Sequence, residues 1–123
     1  MKDARVYLAQ MLEAVERIQR YTQAGRDSFL LSDLQQDAVV RNFQIVGQAA
    51  KRVPDEYRRA HPEIPWRSIM AFRDVLVHDY EVVDPERVWL VVERDLPGLK
   101  AALLAVLPPL DKLEADLAGG NEP

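Results

Sequence analysis

Apolar positions along this chain recur at intervals of three and four residues, the spacing of a helix that buries one face. Leu8, Met11, Leu12, Val15 and Ile18 set the first stripe and predict a helix over residues 3–24, with Gly25 as its C-cap. Residues 26–31 read as a connector. Ser32 followed by Gln35 is a capping box; it opens a second helix over 33–53, which Pro54 stops. This helix is apolar on two sides. Leu34, Ala38, Ile45, Val46, Ala49 and Val53 form one stripe, and Val39, Val40, Phe43 and Ala50 form another. A helix apolar on two sides is buried on two sides. Its second face therefore meets another subunit, or it is the central helix of a single one.

Residues 54–65 hold Pro54, Pro62 and Pro65 and leave room for at most a turn of helix over 55–60. Pro65 suits the first position of a third helix running from Trp66 to the vicinity of His78, with Ile69, Phe72 and Leu76 as its core face. Asp84 and Pro85 form an N-cap and first-position pair. They open a fourth helix whose stripe is Val88, Val92, Leu96, Leu99, Leu103 and Val106. Pro97 lies inside that stripe and must kink the helix or split it, because it lacks an N–H and clashes with the preceding turn. Pro108 and Pro109 end it. Leu110, Leu113 and Leu117 allow one loose amphipathic turn before a partly disordered end. Nothing alternates with the period of a strand. The expected fold is all-α: an antiparallel up-and-down bundle of four main helices, with the domain in residues 1–109 and a tail in 110–123.

A chain of 123 residues can bury a core of its own. It has no cysteine and only two histidines, so neither a disulfide framework nor a thiolate or histidine metal site is expected. Its N-terminus has no signal-peptide pattern, and no apolar run could span a bilayer. A cytoplasmic protein is the expectation. The net charge of −4 is unevenly spread: residues 1–73 hold 12 Lys/Arg and 9 Asp/Glu, residues 74–123 hold 4 and 11. Either these are two solvated faces of different sign, or any contact with a polyanion comes from the first part of the chain; the acidic whole is a poor candidate for strong non-specific nucleic-acid binding.

The stretch RDVLVHDY, residues 73–80, carries the candidate chemistry. Arg73 offers a planar fork of donors that matches a phosphate. His78 is of the residue type that titrates near neutrality and can take or give a proton. With neither a thiol nor metal ligands, this pair best supports phosphodiester cleavage by an internal nucleophile such as the 2′-OH of RNA. A neutral His78 would take the proton and Arg73 would stabilise charge on the phosphoryl oxygens. Asp74 and Asp79 could orient the imidazole. On an ideal helix Arg73 and Tyr80 share a face, whereas His78 points away from Arg73. The pair converges only if the helix distorts or if a second subunit shares the site. His61, among prolines, reads as structural, and Trp66 and Trp89 as core. Arg58, Arg59 and Arg67 could line a phosphate path or form a solvated face.

R-x-x-x-x-H-x-Y following HPEIPW resembles the HEPN superfamily and, within it, the HepT-like toxins that sit beside a small nucleotidyltransferase antitoxin. The similarity takes in VRNFQIVGQAAKRVP (40–54), HPEIPWRSIMAFRDVLVHDY (61–80) and VWLVVERDLPGLK (88–100). The resemblance implies a homodimer with the motif at the dimer groove. It also implies a metal-independent, cofactor-free ribonuclease using Arg73 and His78, with Asp74 in the usual polar position after the arginine. Tyr80 matches the tyrosine that the antitoxin modifies with AMP. Gln44 and Gln48 depart from the pattern, standing where a glutamate is expected on the second helix. A different reading is a non-catalytic helical dimer that serves as binding partner or nucleotide-binding subunit of the nucleotidyltransferase without cutting RNA.

Overall fold

Asp3 starts the first helix by accepting a hydrogen bond from the Arg5 backbone N–H at 2.8 Å. The computed structural model describes residues 3–79 and 83–107. Among these it has α1 (Ala4–Tyr21), α2 (Arg26–Leu30), α3 (Asp33–Arg52), α4 (Asp55–Ala60), α5 (Trp66–His78), α6 (Pro85–Arg94) and α7 (Leu96–Val106). The all-α expectation holds. The four main units are α1, α3, α5 and the α6–α7 pair. α1 packs on α3, α3 on α5, and α7 returns to α1. Contacts from Gln44 to Leu76 and from Lys51 to Asp74 show that α3 and α5 run in opposite directions.

Several details differ from the expectation. α1 stops at Tyr21, not 24, because the Thr22 hydroxyl donates back to the Ile18 carbonyl at 2.8 Å. Gly25 does not cap α1. Its φ of 95° lies in the left-handed region, and it precedes α2, which occupies the expected connector and buries Phe29. Only half of the capping box forms. Ser32 Oγ accepts from the Gln35 N–H at 3.1 Å, but the Gln35 amide donates to Ser28 Oγ instead. Residues 55–60 form the short helix α4, and Pro65 caps α5 from outside. Pro97 splits rather than kinks its helix: α6 ends at Arg94 and α7 begins at Leu96. Asp84 caps α6 as expected, accepting from the Glu86 N–H.

Most of both apolar stripes of α3 is covered within one chain. Val39, Phe43, Val46, Ala49 and Ala50 are buried, with α1 on one flank and α5 on the other. α3 is therefore the central helix of the chain. Leu34, expected in the stripe, is 81% exposed. Asn42 is buried on the α1 flank. Its Oδ1 accepts from Arg17 Nε at 2.8 Å and its amide donates to the Ala38 carbonyl, so this polar side chain is satisfied inside the core. Trp66 and Trp89 are buried as expected; the Trp66 Nε1–H donates to the His61 carbonyl, and Trp89 packs against Phe29. No helix among the described residues is long and apolar enough to cross a membrane. The expected tail, residues 110–123, lies outside the described residues.

Candidate phosphate cleft

α3 carries a third, polar face. Arg41, Gln44, Gln48 and Arg52 recur at helical spacing along it, with Ile45 between them. These side chains form one wall of a cleft of about 380 Å³, closed by Gln10 of α1 and by Arg73 and Val77 of α5. The cleft thus holds three arginines and three glutamines, and no carboxylate lines it among the described residues.

Arg73 owes its position to a close approach of two helices. A Cβ built on Gly47 would lie 2.1 Å from Arg73 Cβ and 2.5 Å from its Cγ, so α3 and α5 can touch here only because position 47 has no side chain. The guanidinium is then held from two sides. One terminal nitrogen donates to Gln48 Oε1 at 3.0 Å and the other to Asp74 Oδ1 at 3.2 Å. Arg73 Nε is buried with no partner among the described residues. Lys51 Nζ also donates to Asp74 Oδ1, at 2.7 Å. The Lys51 hydrogen bond first, and the Arg73 one second, hold the Asp74 carboxyl below its ordinary range, so it stays ionised and occupied by cations. Asp74 therefore supports Arg73 and does not reach His78 in the described geometry. Gln44 donates to the Leu76 carbonyl at 3.3 Å and so ties the last turn of α5 to α3.

His78 is the final residue of α5 and is exposed. The helix runs regularly from Arg73 to this point, so five residues turn the imidazole about 140° around the axis from the arginine. Val77, one turn beyond Arg73, lines the cleft; His78 does not. One chain does not bring the two together, as the spacing implied. Asp79 caps α5 through its backbone N–H, which donates to the Val75 carbonyl. Tyr80 lies outside the described residues.

His61 caps α4, its ring 4.2 Å from that of Tyr57, with Nδ1 3.1 Å from Glu63 Oε1. The structural reading of this histidine is the one observed. Arg58, Arg59 and Arg67 border a separate open concavity at the start of α5, and Arg58 is paired with Asp55. They do not line the cleft that holds Arg73. Among the described residues no group of three or more His, Cys, Asp or Glu is placed to hold a metal ion. The sequence reading missed Arg41, Arg52, Gln10 and Gly47. The recurrence of Arg41, Gln44, Gln48 and Arg52 on one helical face was the available signal, and the two apolar stripes of the same helix masked it.

The family described as "Ribonuclease HepT-like" matches residues 11–106. The chain is 41% identical over 95 residues to a Thermococcus cleftensis protein named "Probable ribonuclease HepT", covering 76% of this chain and 86% of the relative. It is 40% identical over 112 residues to a Methanocaldococcus jannaschii protein named as a gamma-glutamylcyclotransferase and candidate RNase. That match covers 90% of this chain but 50% of the relative, so the chain spans about half of that protein's length. A candidate RNase of Caldanaerobacter subterraneus subsp. tengcongensis is 32% identical over 108 residues, 87% of this chain and 96% of its own. No solved structure gives a significant match.

Proposed function

The chain belongs to the ribonuclease HepT-like family of HEPN proteins, and from that premise we propose that it cleaves RNA without a metal, using Arg73 and His78. The observation that carries the reading is Arg73, held by Gln48 and Asp74 at the wall of a cleft whose other charged residues are also arginines. A phosphodiester seated there meets fixed donors that need no reorganisation as charge develops on its oxygens. Neutral His78 takes the proton of the 2′-OH, whose oxygen attacks the adjacent phosphorus. The P–O5′ bond breaks, the 5′-oxygen takes up a proton, and the products are a 2′,3′-cyclic phosphate and a 5′-hydroxyl. Because α5 directs His78 away from Arg73 of the same chain, the working site is completed across a homodimer. Light scattering giving a monomer mass at micromolar concentration counts decisively against this. For the chemistry, RNA is incubated with the protein in EDTA and the new ends are identified by mass spectrometry. Cyclic phosphate ends are expected; activity that EDTA abolishes and magnesium restores overturns the mechanism.

Control by a nucleotidyltransferase partner is part of the same proposal. AMP added to Tyr80 would place bulk and a phosphodiester charge seven residues from Arg73 and two from His78, where it competes with RNA phosphate. Tyr80→Phe should keep nuclease activity and escape silencing when co-expressed with the partner. If the AMP mass increment appears equally on wild type and Tyr80→Phe, the role of this residue is disproved. The acidic net charge of −4 favours the second reading, a dimer that binds the partner without cutting. Growth arrest on expression of wild type, relieved by His78→Ala, separates the two.

A further inference from the structure

The cleft is longer than one phosphate needs. Arg41 and Arg52 are eleven residues apart on α3, about 16 Å at the rise of an α-helix, and Arg73 reaches the same face between them beside Gln48. Both outer arginines are exposed and neither forms a hydrogen bond or ion pair among the described residues. Their state differs from that of the other basic residues nearby: Lys51 is committed to Asp74 and Arg17 to Asn42. Two unneutralised guanidinium groups therefore flank a pinned one in a groove with no lining carboxylate. Glutamine amides fill the intervals. The carbonyl of Gln48 accepts from Arg73 and the amide of Gln44 donates to Leu76, so on these two groove-lining side chains the N–H of Gln48 and the carbonyl of Gln44 keep bonding capacity.

We propose that this face of α3 is a track for a single RNA strand, in which Arg41 and Arg52 hold backbone phosphates on either side of the one bound at Arg73. The proposal deepens the ribonuclease reading and rests on it for the identity of the polymer. Arg41 and Arg52 are positioning residues: they bind phosphates remote from the reacting bond, equally in ground and transition state. The groove lies between α1 and α5, with Gln10 on one side and Arg73 and Val77 on the other. The amides of Gln10, Gln44 and Gln48 line it, and amides of this kind read the edges of unpaired bases in a single strand.

The test separates binding from cleavage. Binding is measured by fluorescence anisotropy with a labelled, fully 2′-O-methylated oligoribonucleotide of mixed sequence, which lacks the nucleophile and stays intact. Arg41→Gln and Arg52→Gln should each weaken binding about tenfold. Each should also make the slope of log K against log salt less negative by about 0.7, one phosphate contact on a single strand. Arg59→Gln and Arg67→Gln, at the separate concavity, should leave affinity and slope as in wild type. On unmodified RNA, Arg41→Gln and Arg52→Gln should raise KM with kcat within about twofold of wild type.

The track is overturned if wild type does not bind the methylated strand, if the Arg41 and Arg52 variants bind it like wild type, or if the Arg59 and Arg67 variants lower the slope as much. Tight binding that depends on Arg41 and Arg52, with no cleavage of unmodified RNA by wild type, supports the track and overturns the ribonuclease reading. Wild-type cleavage with unchanged binding in both variants does the reverse.

Discussion

α3 and α5 border two clefts on opposite sides of their contact, and the two could hardly differ more. On one side lie Arg41, Arg52 and Arg73 with three glutamines, in about 380 Å³. On the other, Phe43, Val46, Ile69, Phe72, Val91, Leu96 and Leu99 line most of about 590 Å³, with Glu63, Arg94 and Asp95 also on its lining and Phe43 and Phe72 edge to face at 5.2 Å. The larger cleft has the greater apolar area and is the better generic ligand pocket. Yet the smaller one holds the pinned guanidinium of Arg73. Size locates where side chains leave space; chemistry depends on which groups are held rigidly at its edge. Phe72 and Arg73 are adjacent in sequence and line the two different clefts, so a single helix serves a mainly apolar cleft with one residue and an arginine-lined one with the next.

The comparison breaks most sharply at Arg73. Arg73→Ala should lower RNA cleavage by about 10²-fold or more, the usual cost of removing a preorganised donor from developing charge, with the helical circular dichroism signal intact. His78→Ala should do the same through loss of the base. Wild-type rates in either variant remove that residue from the mechanism.

Phe43→Ala tests the opposite side. Phe43 is buried and in contact with Phe72, so truncation should destabilise the fold by about 3–4 kcal/mol in chemical denaturation. Cleavage per folded molecule should change little. A folded Phe43→Ala protein without activity would show that the two sides do not divide the work.

Gly47→Ala probes the seam between them. The new methyl would meet Arg73 Cβ rather than the mobile end of its side chain. The helices must part, at a cost of about 1–3 kcal/mol, and the guanidinium must leave Gln48. Melting temperature and cleavage rate should fall together; a variant that is as stable and active as wild type refutes the close-approach account.

The smallest effect belongs to Asp74. Lys51 and Arg73 lower its carboxyl pKa in the folded state. Its contribution is therefore complete above the unfolded aspartate value, about 3.9, and is lost as pH falls through the lower folded value. Asp74→Asn should flatten the acid limb of the stability curve slightly below about pH 4, because the carboxylate is exposed and screened. An unchanged acid limb would mean that the Lys51 and Arg73 contacts contribute nothing to stability.

Local rules carried the reading of the elements a long way. Ser32 and Asp84 cap helices because a short oxygen-bearing side chain satisfies free N–H groups wherever a helix starts. Pro54 and Pro97 interrupt helices for reasons internal to one turn of backbone. Leu8 to Ile18 and Val88 to Leu103 reveal their buried faces by spacing alone. The motif from Arg73 to His78, with its candidate chemistry, was legible for the same reason: both residues lie within eight positions.

What the sequence by itself could not decide is which surfaces meet. The two stripes of α3 left open a second subunit or a central helix, and only the fold shows α1 and α5 packed against its two flanks. The place of Gly47 against Arg73, the partnership of Arg73 with Gln48 and the joining of Arg41 and Arg52 to the same cleft connect residues more than twenty positions apart. Periodicity determines which side of a helix faces inward. The partner across that face is chosen by close packing of the whole core, a property of many side chains at once that no local pattern encodes.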